Sequence, residues 1–140
     1  MASARVLIVD DEPLLLEAYA RTLRRNGYDV LKAGRPSQAL EIVRSHPPID
    51  VVLSDVVMPE MCGPDLVREV EHLSPETACV LITGAVVGSL ERPPDVPLLS
   101  KPLSQRNVIA AVEEAIARSA QLRAKAAQVQ GKRRRIAAVV

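Results

Sequence analysis

Five polar residues end or directly follow short apolar runs that have the composition of buried strands, namely Asp10, Asp11, Asp55, Thr83 and Lys101. Three carboxylates held close together repel one another, and a divalent cation removes that conflict. Oxygen ligands of this kind suit Mg²⁺. A carboxylate beside bound Mg²⁺ can act as a nucleophile toward phosphorus, while an ammonium group and a hydroxyl group hold the phosphoryl oxygens. If the fold brings these side chains together, their types predict phosphoryl transfer onto an aspartate.

An alternation of strands and helices would bring them together. Apolar runs predict strands over 5–9, 28–33, 49–55 and 78–83, with a weak fifth strand over 97–100. Helical spacing predicts helices over 13–25, 36–45, 64–73 and from about 104 to at least 118. Such an alternation forms a parallel sheet with helices on both faces, and ligand sites lie outside the carboxyl ends of its strands. We therefore expect one α/β doubly wound domain with the polar residues on one rim.

Each of these residues alone has a simpler interpretation. Asp10 and Asp11 could cap the helix that begins at Pro13, because Asp is a common N-cap residue. Thr83 alone would be an ordinary hydroxyl at a strand end, and Lys101 alone would be a solvated charge. Their shared position at strand ends favours a phosphoryl site over these alternatives.

Charge divides the chain into two parts. Residues 121–140 carry six basic residues and no acid, which leaves 12 − 17 = −5 for residues 1–120 of a chain whose net charge is +1. We predict a domain over 1–120 and a basic extension over 121–140 that is helical or disordered. The extension is either a solvated tail or a docking segment for an acidic partner, a membrane surface or nucleic acid.

The remaining composition excludes several classes of protein. Cys62, Cys79, His46 and His72 have no metal-site spacing, and free cysteines fit a reduced, cytoplasmic setting. No apolar run is long enough to span a bilayer. No DNA-binding domain is visible, and no glycine-rich turn follows the first strand as a dinucleotide site would require.

Four motifs in order resemble the receiver domain of two-component response regulators, over about residues 4–120. The motifs are Val9–Glu12, Leu53–Pro59 with Gly63 behind it, Ile82–Ala85 and Ser100–Pro102. The resemblance implies a flavodoxin-like (βα)5 sheet with strand order 2-1-3-4-5. It also implies a signalling protein that assists its own phosphorylation and dephosphorylation, and that is not a turnover enzyme.

The same resemblance assigns the metal and phosphoryl positions. Asp55 would be the phosphoacceptor. Asp11 would bind Mg²⁺ together with Asp55 and the main-chain carbonyl of Val57, and Asp10 would assist through water. The phosphodonor would be a phosphohistidine on a sensor histidine kinase or phosphotransfer protein, and the downstream protein is unknown.

The resemblance also assigns switch positions. Lys101 would pair with the phosphoryl group, Thr83 would move to hydrogen-bond it, and Pro102 would follow Lys101 in a cis peptide. Family members usually carry an aromatic residue three places before the lysine, where this chain has Leu98. An aliphatic side chain has no hydroxyl and less area to bury, which weakens the expectation of the usual threonine–aromatic coupling.

Two further departures shape the expectations. The segment from Gly84 to Val96 lacks helical periodicity, so we predict a short or irregular fourth helix, a pattern similar to receivers attached to hybrid histidine kinases. Val57 and Ala85 flank the expected site and neither can orient an attacking water. We therefore expect phospho-Asp55 to hydrolyse slowly without a phosphatase.

Two other functions remain open at this point. A phosphohydrolase that turns over through an aspartyl phosphate usually has a second acid two residues after the nucleophile, and Val57 occupies that place. An interaction module would leave the acidic site idle and bind DNA through the basic tail, which would make its binding salt-dependent.

Overall fold

The computed structural model describes residues 3–84 and 90–139, which form a sheet flanked by helices. The strands are β1 (Arg5–Val9), β2 (Asp29–Ala33), β3 (Val51–Asp55), β4 (Ala78–Thr83) and β5 (Leu98–Ser100). The helices are α1 (Pro13–Arg25), α2 (Pro36–Ser45), α3 (Gly63–Leu73) and α4 (Gln105–Val139). These elements begin and end within two residues of the predicted bounds, and α4, predicted to run at least to 118, ends at Val139.

All five strands are parallel and lie in the order β2-β1-β3-β4-β5. The predicted α/β doubly wound sheet and its strand order are therefore confirmed. The register places Asp55 opposite Ile82 and Thr83 opposite Ser100. Because parallel strands share their direction, the residues that follow β1, β3, β4 and β5 meet at one rim.

Alternate residues of each central strand pack on opposite faces of the sheet, as the two-residue period of a strand requires. In β1, Leu7 and Val9 join a cluster with α2 and α3, whereas Val6 and Ile8 join a cluster with α1 and α4. All four side chains are at most 1 % exposed. Burying such an aliphatic side chain stabilises the fold by about 1.5–3 kcal/mol, so packing on both faces stabilises the sheet that carries the rim.

The connection between β4 and β5 contains no helix in its described part, which is Gly84 and residues 90–97. Residues 85–89, which include Ala85, lie outside the described residues. Val96 is buried in the core, and its carbonyl accepts a 2.7 Å hydrogen bond from Arg92. Four helices are therefore described, which agrees with the expectation that the fourth helix of the family pattern is short or irregular here.

The long helix α4 packs on the sheet from the rim, where it begins, and its middle contacts the amino ends of the strands. Arg118 donates to the carbonyl of Cys79 at 2.6 Å, and the hydroxyl of Ser119 donates to the carbonyl of Glu76 at 2.7 Å. Further along, Arg123 forms an ion pair with Asp50, a residue that is 9 % exposed.

Among the described residues, no helix combines the length and apolar character needed to cross a bilayer.

Candidate functional site

Three carboxylates lie together at the carboxyl ends of β1 and β3. Asp10 is 2 % exposed, Asp11 is exposed, and the side chain of Asp55 is 11 % exposed. One oxygen from each lies within 4.8 Å of the others. The structure therefore brings together the three acids that the sequence places at strand ends.

This donor set fits a small divalent cation. Carboxylate oxygens are hard ligands, and Mg²⁺ typically binds to one or two carboxylates while it keeps several waters. The graded exposure suits that arrangement, because Asp11 faces solvent while Asp10 lies beneath it. Asp10, Asp11 and Asp55 can hold such a cation, and no other cluster of this kind occurs among the residues at 3–84 and 90–139.

Lys101 supplies a positive charge to the same rim. Its ammonium nitrogen lies 3.2 Å from Asp55 Oδ2 and 3.5 Å from Asp10 Oδ2. Partial burial opposes the charge, but the hydrogen bond to Asp55 and the charge of Asp10 raise the pKa of Lys101. The main-chain N–H of Lys101 donates to the carbonyl of Thr83 at 2.8 Å, and the Lys101–Pro102 peptide bond is cis.

Asp10 is held by its own turn. Its Oδ1 accepts the main-chain N–H of Glu12 at 2.9 Å. Burial raises the pKa of Asp10, and the hydrogen bond from Glu12 and the charge of Lys101 offset part of that effect. Glu12 is the N-cap residue of α1, and no side-chain cap hydrogen bond is made there. The acids therefore do not serve as the N-cap of α1 in the way the simpler interpretation supposed.

The backbone after β3 fixes the direction of Asp55. The N–H of Val56 donates to Asp55 Oδ1 at 2.8 Å and to the carbonyl of Ile82 at 2.9 Å. The N–H of Gly63 donates back to the carbonyl of Val56 at 2.7 Å. A Cβ on Gly63 would lie 2.4 Å from the main-chain oxygen of Asp55, so only glycine permits this approach of α3 to β3.

The remaining predicted positions surround this cluster. Thr83 is 1 % exposed at the end of β4, one strand away from Asp55. Leu98 begins β5 opposite Leu81 and packs against the core on the α2 and α3 side. Val57 follows β3 in the loop toward α3, and its side chain is 67 % exposed. Their functional roles remain predictions.

Sequence reasoning missed Tyr19 as a neighbour of the site. Tyr19 is 7 % exposed and lines a cavity of about 540 Å³ with Lys101 and Pro102. Burial raises the pKa of its phenol, the charge of Lys101 lowers it, and the charges of Asp10 and Asp55 raise it. Its helical spacing in α1 indicated only a core position. The available signal was that α1 begins directly after the acidic pair.

Sequence reasoning also missed a contact between the site loop and α2. Glu60, three residues beyond Val57, accepts two hydrogen bonds from Ser37. No motif or spacing links two residues this far apart in the chain, so only the structure reveals the contact.

Comparisons with known proteins all point to the same family. Residues 6–113 match the family model described as the response regulator receiver domain. The chain is 37% identical over 117 residues to the sensor kinase CckA of Brucella abortus, which covers 80% of this chain and 12% of that protein. It is 29% identical over 114 residues to the response regulator receiver protein CpdR of the same organism, covering 79% and 94%. It spans only 33% of the regulatory protein TcrX of Mycobacterium tuberculosis, so several relatives are much longer than this chain.

Solved structures agree in fold. The receiver domain of the hybrid histidine kinase CckA superimposes with a TM-score of 0.71 at 31% identity, covering 81% of this chain and 99% of that one. A CheY-like receiver domain from Methanospirillum hungatei has a TM-score of 0.77 at 24% identity, covering 86% and 98%, and this likeness concerns the fold alone.

Proposed function

The chain belongs to the response regulator receiver domains of two-component systems, which are signalling domains and not turnover enzymes, and we propose that it accepts a phosphoryl group on Asp55 in a Mg²⁺-dependent reaction. The observation that carries the proposal is the convergence of Asp10, Asp11, Asp55 and Lys101 at one rim. No single motif would support it as strongly, because each residue alone has a structural explanation.

In the proposed reaction, a carboxylate oxygen of Asp55 attacks the phosphorus of a phosphohistidine. The new O–P bond forms as the N–P bond to the imidazole breaks, and the imidazole leaves with the electron pair. Bound Mg²⁺, held by Asp11, Asp55 and the main-chain carbonyl of Val57 with Asp10 behind them, would neutralise the phosphoryl oxygens. Lys101, already 3.2 Å from Asp55, would hold another of these oxygens.

We propose that phosphorylation changes the conformation of the protein through Thr83, Leu98 and Pro102. Thr83 would move toward the phosphoryl group, and the main-chain hydrogen bond from Lys101 to Thr83 would carry that movement to β5. Leu98 would then shift against the core beside it. Because Leu98 has no hydroxyl and less area than a ring, we expect a smaller rearrangement there than an aromatic side chain would make.

The donor is proposed to be a phosphohistidine on a sensor kinase or a phosphotransfer protein. CckA, a sensor kinase with a matching segment, supports this class of partner. The receiver domain is proposed to end near residue 120, with 121–140 as a basic extension.

The test is phosphorylation by acetyl phosphate in the presence of Mg²⁺. We expect intact mass to increase by one phosphoryl group, and the increase to vanish in Asp55→Asn and after chelation of Mg²⁺. Beryllofluoride with Mg²⁺ serves as a non-covalent substitute for the phosphoryl group. It should change the spectrum of the wild-type protein and leave the spectrum of Asp55→Asn unchanged. No mass gain and no Mg²⁺ binding would contradict the proposal, and repeated turnover of a small phosphate ester would favour a phosphohydrolase instead.

A further inference from the structure

Glu60 holds an unusual backbone conformation in the loop between β3 and α3. Its φ is +73°, and it is alone among the described non-glycine residues in having a positive φ. This left-handed region is unfavourable for a residue with a Cβ. A strained residue of this kind persists only where its surroundings hold it, and such residues cluster at functional sites.

Two sets of hydrogen bonds hold Glu60: the N–H of Met61 donates to the carbonyl of Pro59 across it at 2.9 Å, and its side chain contacts α2. The N–H of Ser37 donates to Glu60 Oε1 at 3.1 Å, and the hydroxyl of Ser37 donates to Oε2 at 3.0 Å. The hydrogen bonds from Ser37 lower the pKa of Glu60, because they favour the charged carboxylate that accepts them.

The contact also completes the N-terminus of α2. Ser37 is the second residue of that helix, and the N-cap residue Arg35 makes no side-chain cap hydrogen bond. First-turn N–H groups have no partner within their own helix, and a carboxylate is favoured there by the helix dipole. Glu60 therefore caps α2 from 23 residues further along the chain.

The loop that carries Val57 is thus held on both sides. Before Val57, the N–H of Val56 is bonded to Asp55 Oδ1 at 2.8 Å. After it, Glu60 is bonded to Ser37. A main-chain carbonyl has no rotamers of its own, so its direction at Val57 depends on how these two anchors hold the backbone.

We propose that Glu60 is a positioning residue for the cation site, and that its contact with Ser37 couples occupancy of that site to the N-terminus of α2. This inference rests on the proposed function, in which the main-chain carbonyl of Val57 binds the cation. It gives the molecule a route to α2 that does not depend on the side chain at Leu98.

The decisive variant is Glu60→Gly. Glycine adopts a positive φ without strain, so the loop can keep its path while the carboxylate is lost. We expect Mg²⁺ affinity, measured by calorimetric titration without a phosphodonor, to fall about three- to tenfold, the size of effect expected when one ordinary solvent-exposed hydrogen-bonded contact is lost. Saturating Mg²⁺ should restore phosphorylation by acetyl phosphate to the wild-type level, because Asp55 and Lys101 are untouched.

A double-mutant cycle shows whether Mg²⁺ affinity depends on the contact between Ser37 and Glu60 or on a general change in the loop. Ser37→Ala should weaken Mg²⁺ binding in the same direction by about two- to threefold, since one of two hydrogen bonds is lost. Combining Ser37→Ala with Glu60→Gly should be no worse than Glu60→Gly alone, because both remove one interaction. Glu69→Gln removes a charge from the exposed face of α3 without touching the loop, and it is the charge control for Glu60→Gly. Only the Glu60 variant should change the affinity.

The second measurement follows the main-chain amide of Ser37 by nuclear magnetic resonance. We expect Mg²⁺ and beryllofluoride to shift this resonance in the wild type and to leave it in place in Glu60→Gly. Unchanged Mg²⁺ affinity in Glu60→Gly, additive effects in the cycle, or a Ser37 shift that persists without Glu60 would overturn the inference alone. A wild type that neither binds Mg²⁺ nor accepts a phosphoryl group would overturn the proposed function together with it.

Discussion

At the scale of single residues, Lys101 places a positive charge beside the acids of the rim. Its ammonium nitrogen lies 3.2 Å from Asp55 and 3.5 Å from Asp10. A cation that binds these acids therefore shares them with a charge already in place. The same ammonium group is proposed to hold the phosphoryl group, so its effects on cation binding and on phosphoryl transfer should be opposite.

We expect Lys101→Met to bind Mg²⁺ about fivefold more tightly, because an ammonium group this close to two carboxylates opposes a second cation even after solvent screening. Phosphorylation by acetyl phosphate should nevertheless be slower at saturating Mg²⁺. Titration calorimetry and intact mass measure the two effects separately. Lys32→Met, which removes the surface lysine paired with Glu17, is the control and should change neither. Weaker Mg²⁺ binding in Lys101→Met would refute this account.

The two cysteines should differ sharply in reactivity. Burial raises the pKa of Cys79 to about 12, whereas Cys62 is exposed. The thiolate is the reactive form, and a thiol that stays protonated and buried is inert. We expect a thiol reagent at pH 8 to modify one cysteine in the native chain and both after unfolding. Cys62→Ser should abolish the native reaction, and rapid labelling of that variant would contradict the burial of Cys79.

At the scale of elements, the junction of β3 and α3 holds the phosphoacceptor in place. A Cβ on Gly63 would meet three atoms, at 2.4 Å from Asp55 O, 2.8 Å from Leu81 Cδ2 and 2.9 Å from Val56 Cα. Two of these are main-chain atoms and cannot move without shifting a strand. The glycine therefore allows α3 to start directly beneath the acid.

Gly63→Ala should lower the free energy of unfolding by about 1–3 kcal/mol, as overpacking of a core typically does. Denaturant unfolding measures this loss. Gly34→Ala is the matched control, because nothing lies within 4 Å of a Cβ there, and a change below about 0.5 kcal/mol is expected. Equal stability of the two variants would show that the strand and helix can separate freely.

Strands and helices were predictable because their signals are local. Apolar runs and helical spacing predict each element, and the strand-end rule then predicts that Asp10, Asp55 and Lys101 meet. The contact of Glu60 with Ser37 and the placement of Tyr19 were not predictable, since both depend on which faces meet after folding. The full length of α4 was left open between a helical and a disordered extension, because an Ala- and Gln-rich run is compatible with both.

At the scale of the whole molecule, the two ends of the sheet have different roles. The carboxyl ends of the strands carry the three acids of the site, whereas the amino ends contact the middle of α4. There Asp50 binds Arg123 through one oxygen and accepts the main-chain N–H of Arg5 at 2.7 Å through the other. Arg123 lies three residues beyond the proposed domain end at 120, so the extension contributes a contact to the domain.

Truncation tests this boundary. A chain ending at residue 120 loses Leu122 and Arg123 and leaves the carboxylate of Asp50 without its cation, so its free energy of unfolding should fall by about 1–3 kcal/mol. A chain ending at 126 keeps both residues and should differ from the full chain by less than about 0.5 kcal/mol. Thermal and denaturant unfolding measure both. Equal stability of the two truncated chains would place the end of the domain at 120.

The position of Tyr19 should allow Mg²⁺ binding to be followed by the fluorescence of the protein itself. The chain has no Trp and no Phe, so its ultraviolet emission comes from Tyr19 and Tyr28 alone. Tyr19 shares a cavity with Lys101, while Tyr28 precedes β2 at the far end of the sheet. In Tyr28→Phe the single remaining tyrosine lines the cavity with Lys101. Mg²⁺ should change the emission of that variant and leave the emission of Tyr19→Phe constant, which would let occupancy be followed without a dye.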